Sequence, residues 1–543
     1  MNLSRIFLTC LAGVALTAAA QTHKEGVEYY KADQLGNAKE LLQRNLSNPG
    51  TDQAVSNYYL GMVEFDNGNT SGAAPYFDKG LAANPDYGYN YVGKGLLELK
   101  KGNLKEAEKF FKEAEGKVKK DAAMQIAIAR AYYDADPVTY AKQIEKYLEK
   151  ARKTNMQAPE IYIFEGDMLA DKKDWGGAAA KYEMAANYDQ EATEAYVKYA
   201  NLFTQVNPKF AITMLSKLKG LHPDSALAQK ELAEAYYNNG DYANAASEYG
   251  AYVKNPNHFK KDEDRYAFLL FYGKDYQGGY DYSTELLKYD PTNFTAQRFQ
   301  FMNAAQIPAL QNQLIPMAEA LLAAHRANPA NKFAAIDYNL ISDELIRNGR
   351  ADEGIQVLQE AIAEDPENAS FNKALALAYV NANSLANAAD AFQGYIEKTD
   401  KPGYNDFIQQ ATYAYYAGVE LKESDPARSE AYYDMALDYA GKGAEILPDN
   451  YKPKKFVGDV AKQRAAKDKV ASAAQPAYEE AVVLLEASQD PSRYASDAKE
   501  MYNYLGNYYL DKKDVATAKK YFNKYLEFDP TNDAYRKFVD GLK

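Results

Sequence analysis

Four histidines, His23, His222, His258 and His325, are the side chains of this sequence best suited to proton or metal chemistry, and their spacing supports neither. No two stand at i and i+4, where one helix face would aim both at a single ion, and no HExxH run occurs. His222 precedes Pro223 and His258 falls in a turn region, so surface or turn positions are expected for this residue type. A serine hydrolase would need a Gly-x-Ser-x-Gly elbow. A nucleotide site would need a GxxxxGK(S/T) loop, or a GxGxxG loop after a strand pattern. None is present. Carboxylates are so plentiful that adjacent pairs such as Glu263 and Asp264 carry no catalytic information. No catalytic residue, cofactor or metal ligand is assigned, and the chain is not expected to be an enzyme.

The 48 tyrosines invite a different chemistry, because aromatic faces stack on sugars. Most of them fall where a thin helical core needs a ring, as at Tyr132, Tyr236, Tyr249, Tyr379 and Tyr509. There the ring packs and the hydroxyl reaches water or a neighbour. Trp175, just before a helical stretch, is likewise expected to be a packing residue. In Asp224-Ser225-Ala226, which is similar to a bacterial envelope O-glycosylation site, Ser225 serves equally well as the cap of the next helix.

Composition narrows the partners. Against 76 acids stand 63 lysines and arginines, a formal net charge of -13, whereas binding a phosphate backbone needs a basic excess. Nucleic acid is therefore excluded as the main partner. The opening MNLSRIFLTCLAGVALTAAA carries one charge, Arg5, then an apolar run and small residues at Ala18, Ala19 and Ala20. It reads as a secretory signal peptide over residues 1–20, cleaved before Gln21. Cys10, the only cysteine, lies inside that run and not at its end, so lipid attachment is not expected and the mature chain has no thiol chemistry. The compartment expected is the periplasm, with secretion or outer-membrane association as the runner-up. No later stretch is long and apolar enough to span a bilayer.

The elements that position any site come next. Residues 501–530, MYNYLGNYYLDKKDVATAKKYFNKYLEFDP, read as two helices folded back on each other. Tyr502, Leu505, Gly506 and Tyr509 fall on one helical face, and Ala518, Phe522 and Tyr525 restart the spacing after Lys512-Lys513-Asp514. Prolines mark the same period elsewhere: 36 residues from Pro49 to Pro85, 33 from Pro223 to Pro256, then 35 to Pro291 and 38 to Pro329. Small residues recur on the first helix (Gly26, Gly61, Gly95, Gly166, Gly506) and twelve residues later on the second (Ala38, Ala73, Ala107, Ala178, Ala518). A bulky residue follows four positions on, at Leu42, Phe77, Phe111, Tyr182 and Phe522. Gly68, Gly102, Gly240 and Gly349 stand between the helices, where a left-handed residue ends the first.

This pattern resembles the tetratricopeptide repeat. The resemblance implies an all-α fold, a right-handed α-solenoid (superhelix) of about a dozen helical hairpins. Residues 21–402 read as the repeat solenoid. Residues 403–490 read as irregular longer helical hairpins, with turns near Ser424-Asp425-Pro426 and Pro448-Asp449-Asn450. Residues 491–543 read as a last repeat and a polar-faced capping helix.

The resemblance also implies a function, a protein–protein interaction scaffold or adaptor binding a protein or peptide in the concave groove. A glycan- or peptidoglycan-associated envelope protein is the alternative. The family's carboxylate clamp is not reproduced at Tyr58 and Met62, Val92 and Leu96, Ile163 and Asp167, Lys230 and Glu234, or Asn503 and Asn507. Groove-facing positions of the second unit are Val55, Tyr58, Met62 and Phe65, and those of the third are Tyr89, Val92, Leu96 and Leu99. They form two adjacent apolar stripes, which are either an interface or, if another part of the chain curls in over them, core.

Overall fold

The computed structural model describes residues 22–466 and 469–543; the expected signal peptide and Cys10 lie outside the described residues. Everything described is helix or turn, in two compact units that divide between Ile307 and Pro308. That division falls at the start of a 3-10 helix, Pro308–Gln313, whereas the sequence pattern ends the regular repeat solenoid at residue 402.

Unit 1 begins with α1 (His23–Lys31), α2 (Leu35–Asn45), α3 (Gln53–Asp66) and α4 (Thr70–Ala83). There follow α5 (Tyr89–Lys100), α6 (Leu104–Gly116), α7 (Ala122–Ala135), α8 (Ala141–Thr154), α9 (Pro159–Asp171) and α10 (Trp175–Tyr188). It ends with α11 (Thr193–Phe203), α12 (Pro208–Leu221), α13 (Ala226–Asn238), α14 (Tyr242–Tyr252), α15 (Glu263–Tyr272), α16 (Tyr276–Tyr289) and α17 (Phe294–Ala304). Consecutive helices pair as hairpins, and α1, α3, α5, α7 and α9 also touch one another in turn, as α15 touches α17.

The pairing follows from residue size. A Cβ placed on Gly61 would lie 2.4 Å from the Phe77 ring, one on Gly95 2.3 Å from Phe111, and one on Gly166 2.5 Å from Tyr182. No side chain fits there, so the two helices approach closely and the ring fills the space beside the contact. Gly68, Gly102 and Gly240 take φ of 80°, 79° and 77°, the left-handed turn anticipated for them. Side chains cap the helix starts: Asp52 accepts from Ala54 N and Val55 N, Asp121 from Ala123 N and Met124 N, and Ser225 from Ala228 N. Ser225 thus has the capping role.

The hairpins of unit 1 close into a ring. Lys198 on α11 bonds Asp33 after α1 at 2.6 Å, across 165 residues of sequence. Glu25 on α1 accepts from the Leu227 backbone N–H at 2.7 Å and the Ser225 hydroxyl at 3.1 Å. Gln34 donates to Glu231 at 2.5 Å, and Arg44 donates to the His258 carbonyl at 3.1 Å. Tyr29, fully buried, meets Phe259 edge-on at 5.4 Å. The first hairpin is thereby seated on α11, α13 and the segment leading into α15.

Unit 2 contains α18 (Leu314–Ala327), α19 (Ala335–Arg347), α20 (Ala351–Glu364), α21 (Ala369–Asn381) and α22 (Leu385–Lys398). The long hairpin α23 (Tyr404–Leu421) and α24 (Pro426–Ile446) follows, then α25 (Lys452–Arg464), α26 (Val470–Ala473) and α27 (Gln475–Glu486). It finishes with α28 (Ala495–Asp511), α29 (Val515–Phe528) and the short end helix α30 (Asp533–Gly541). The irregular stretch keeps the same packing device at other spacings. A Cβ on Gly418 or on Gly458 would each fall 2.5 Å from a ring, Tyr433 and Tyr478 respectively. These glycines escaped the sequence reading because their partners stand 15 and 20 residues on, where the regular repeats use 16.

Two side chains depart from expectation. Trp175 is 54% exposed at the first position of α10, so it is not a core residue. His325 is buried in α18, stacked on Phe333 at 4.1 Å with Glu364 at 3.0 Å and Tyr338 at 3.1 Å. A helix interior had not been expected for a histidine. There Phe333 and Tyr338 enclose its ring, while Glu364, Tyr338 and the Asn331 carbonyl satisfy its nitrogens.

Candidate functional site

Because unit 1 closes on itself, its first helices face a chamber and not an open groove. The chamber holds about 420 Å³, within the range of small-ligand sites. Five of the eight predicted groove residues line it: Tyr58, Met62, Tyr89, Val92 and Leu96. Val55, Phe65 and Leu99 do not reach it: Leu99 joins the main core, Phe65 carries Lys100 over its ring at 5.7 Å, and Val55 packs beside Val27, Leu42 and Leu60. Tyr58, Met62, Phe65, Val92, Leu96 and Leu99 are buried, whereas Val55 and Tyr89 are half-buried. The two stripes are thus largely enclosed, because α1 and the far side of the ring close over them.

The sequence reading missed the polar half of this chamber. Arg130 on α7 donates to Asp167 on α9 at 2.6 Å and lies 5.0 Å from the centre of the Phe164 ring. Lys198, almost fully buried, reaches Asp167 at 3.2 Å as well as Asp33. Burial works against the charge on Asp167, but Arg130 and Lys198 outweigh it and hold the carboxyl below its usual range. Tyr30 donates to Asp66 at 2.8 Å. Asp134, Glu160 and Glu194 also line the chamber, and among the described residues no neighbouring side chain hydrogen-bonds or ion-pairs with their carboxylates. Burial pushes Asp134 up to about 7, with Arg130 offsetting only part, and pushes Glu194 up to about 7 against Lys198, Lys31 and Arg130. No local pattern could have flagged these residues, since they come in pairs from three successive hairpins: Arg130 and Asp134 on α7, Glu160 and Asp167 on α9, and Glu194 and Lys198 on α11. The nearest signal was Arg130 itself, a charge on the otherwise apolar face of Ile126, Ala127 and Ala131.

These carboxyls tie the ring's stability to pH. Asp134 and Glu194 ordinarily titrate near 3.8 and 4.5 but do so near 7 in the fold, so folding retains their protons over that interval. Their contribution is full below the lower values and is lost as pH rises through about 7. Amide protection in α7 and α11, corrected for intrinsic exchange, is expected to fall by about tenfold or more between pH 5 and pH 8. Asp134→Asn with Glu194→Gln should flatten that fall; an unchanged slope in the double variant would contradict the assignment.

Models of the tetratricopeptide repeat match residues 58–125, 211–258 and 339–404, and a second model of the same repeat matches 499–532. These four stretches are tetratricopeptide repeats. They belong to a family that typically serves as non-catalytic scaffold. Comparison with curated proteins returned no match. Among solved structures, the C-terminal part of a tetratricopeptide repeat-containing protein from Cytophaga hutchinsonii is 18% identical, with 52% of this chain and 99% of that one covered and a TM-score of 0.40. PilF of Pseudomonas aeruginosa is 18% identical over 40% of this chain and 97% of its own, with a TM-score of 0.28. Yeast Tom70 is 15% identical over 92% and 97%, with a TM-score of 0.31. Among the described residues no helix of this repeat protein is long and apolar enough to cross a membrane, and no cluster of His, Cys, Asp or Glu is placed to hold a metal ion.

Proposed function

We propose that this repeat protein is an exported, non-catalytic scaffold of the periplasm that binds a protein or peptide partner through unit 1, a side chain of the partner entering the chamber. The observation that carries the reading is the convergence of first-helix faces from several hairpins on one partly solvent-accessible space. Asp33 and Glu191, on its rim, have side chains 72% and 75% exposed, which leaves the chamber open to solvent there. Export rests on the residue pattern of 1–20, and the acidic balance supports a protein partner over nucleic acid. The glycan alternative gains no support: Tyr132 and Tyr249 are core, and Tyr236, Tyr379 and Tyr509 are half-buried.

A photo-crosslinking residue at Tyr89, half-buried on the chamber wall, tests the reading in cells. A discrete adduct in the periplasmic fraction is expected, on a chain whose mass begins at Gln21. The same probe at Tyr289, 87% exposed and away from the chamber, should give none. Adducts only at Tyr289, or a chain retained in the cytoplasm, would overturn it.

A further inference from the structure

The chamber has a charge pattern that its own residues leave incomplete. Among the side chains lining it, Lys31, Arg130 and Lys198 are the cations, and the last two are committed to Asp167 and Asp33. Asp134, Glu160 and Glu194 face the same space with no hydrogen-bonding or ion-pairing side chain among the described residues. A buried carboxylate is costly unless an opposite charge approaches it. A second, independent feature points the same way. Tyr58 lines the chamber, is 8% exposed, and its hydroxyl makes no hydrogen bond among the described residues, while its ring packs against Tyr59 and Tyr89 at 5.0 and 5.5 Å. Aromatic faces beside carboxylates, with no metal-holding cluster among the described residues, suit an organic cation: the rings attract its charge and its apolar stem packs on Val92 and Leu96.

Taking the chamber as the partner site, we infer that the group it accepts is an alkylammonium ion, carried either on a lysine side chain of the partner or by a free aliphatic amine. The ammonium replaces the missing cation at Asp134 and Glu194, and the Tyr58 hydroxyl supplies an acceptor for one of its N–H bonds.

Calorimetry on the full mature chain tests this with two probes, cadaverine and the peptide Gly-Lys-Gly, beside the neutral controls pentan-1-ol and Gly-norleucine-Gly. At least one ammonium probe is expected to bind about tenfold or more tightly than its control, a difference of about 1.4 kcal/mol. Asp134→Asn with Glu194→Gln should remove that preference, Tyr58→Phe should weaken it about threefold, and Glu106→Gln on the outer surface should leave it unchanged. Binding by the peptide alone assigns the source to a partner's lysine; binding by cadaverine alone assigns it to a free amine. Both carboxylate changes relieve a buried charge, so the double variant is expected to fold, which circular dichroism verifies. Ammonium probes binding no better than their controls, or equally to the double variant, would overturn the inference. Its failure is separable from that of the scaffold reading. A crosslinked partner with no ammonium preference leaves the scaffold and removes the cation site. An ammonium preference without a crosslinked partner does the reverse.

Discussion

Aspartate at both Tyr58 and Leu96 is expected to unfold the ring of unit 1 and not to yield a folded protein with a disabled groove. Leu96 is 1% exposed and Tyr58 is 8% exposed, so each carboxylate would be forced into a nearly dry site. The cations that line the chamber are already engaged, Arg130 and Lys198 with Asp167 and Lys31 with Glu28 at 3.8 Å. Burying an unpaired charge belongs to the most damaging class of substitution, about 4 kcal/mol or more at each site. The tyrosine ring would also be lost from the cluster it forms with Tyr59, Phe77, Tyr87 and Tyr89. The measurement is hydrogen exchange over α1–α14 together with far-ultraviolet circular dichroism. Protection should disappear in these helices in the double variant, while Tyr89→Asp, on the half-buried wall, should retain most of it. A double variant melting within a few degrees of the parent would show that the stripe is surface after all.

The second large effect is expected in unit 2, at Lys455. Its ammonium lies 2.8 Å from Asp459, 2.9 Å from Glu500 and 3.8 Å from Asp497, with a side chain only 14% exposed. Lys462 adds a 2.7 Å contact to Glu500, and Tyr478, fully buried, donates to Asp459. Burial alone would raise Glu500, but Lys455 and Lys462 outweigh it and hold the carboxyl at about 2. A carboxyl lowered from 4.5 contributes stability that is present above that value and lost as pH falls through about 2. Lys455→Met removes the shared cation and leaves Asp459, 6% exposed, with the Tyr478 hydroxyl and only the more distant Lys462 at 3.7 Å. Breaking such a network costs about 3–5 kcal/mol, toward the lower end here because Glu500 is 44% exposed. Chemical denaturation at pH 7 should show that loss, and the acid unfolding limb should move to higher pH. Adding Asp459→Asn should recover part of it, since a neutral amide is cheaper to leave buried than an anion. Full stability in Lys455→Met would mean that water, not the lysine, solvates these acids.

What the sequence by itself determined was the packing that the regular repeat carries within one hairpin. Gly61, Gly95 and Gly506 were legible as small positions, and each faces the ring 16 residues on: Phe77, Phe111 and Phe522. So were the left-handed glycines and the cap at Ser225. These features depend on residues less than one repeat apart, so periodicity reports them directly. The stripes at Tyr58 and Leu96 were legible as apolar faces, but not as enclosed ones. Their cover comes from contacts such as Asp33 with Lys198 and Glu25 with Leu227, 165 and 202 residues apart. Such contacts arise because small rotations between successive hairpins add up until the chain meets its own beginning. No single repeat encodes that sum. The same closure gathers Arg130 and Asp134 of α7, Glu160 of α9 and Glu194 of α11 around one chamber, and so turns ordinary surface charges into the site's defining chemistry.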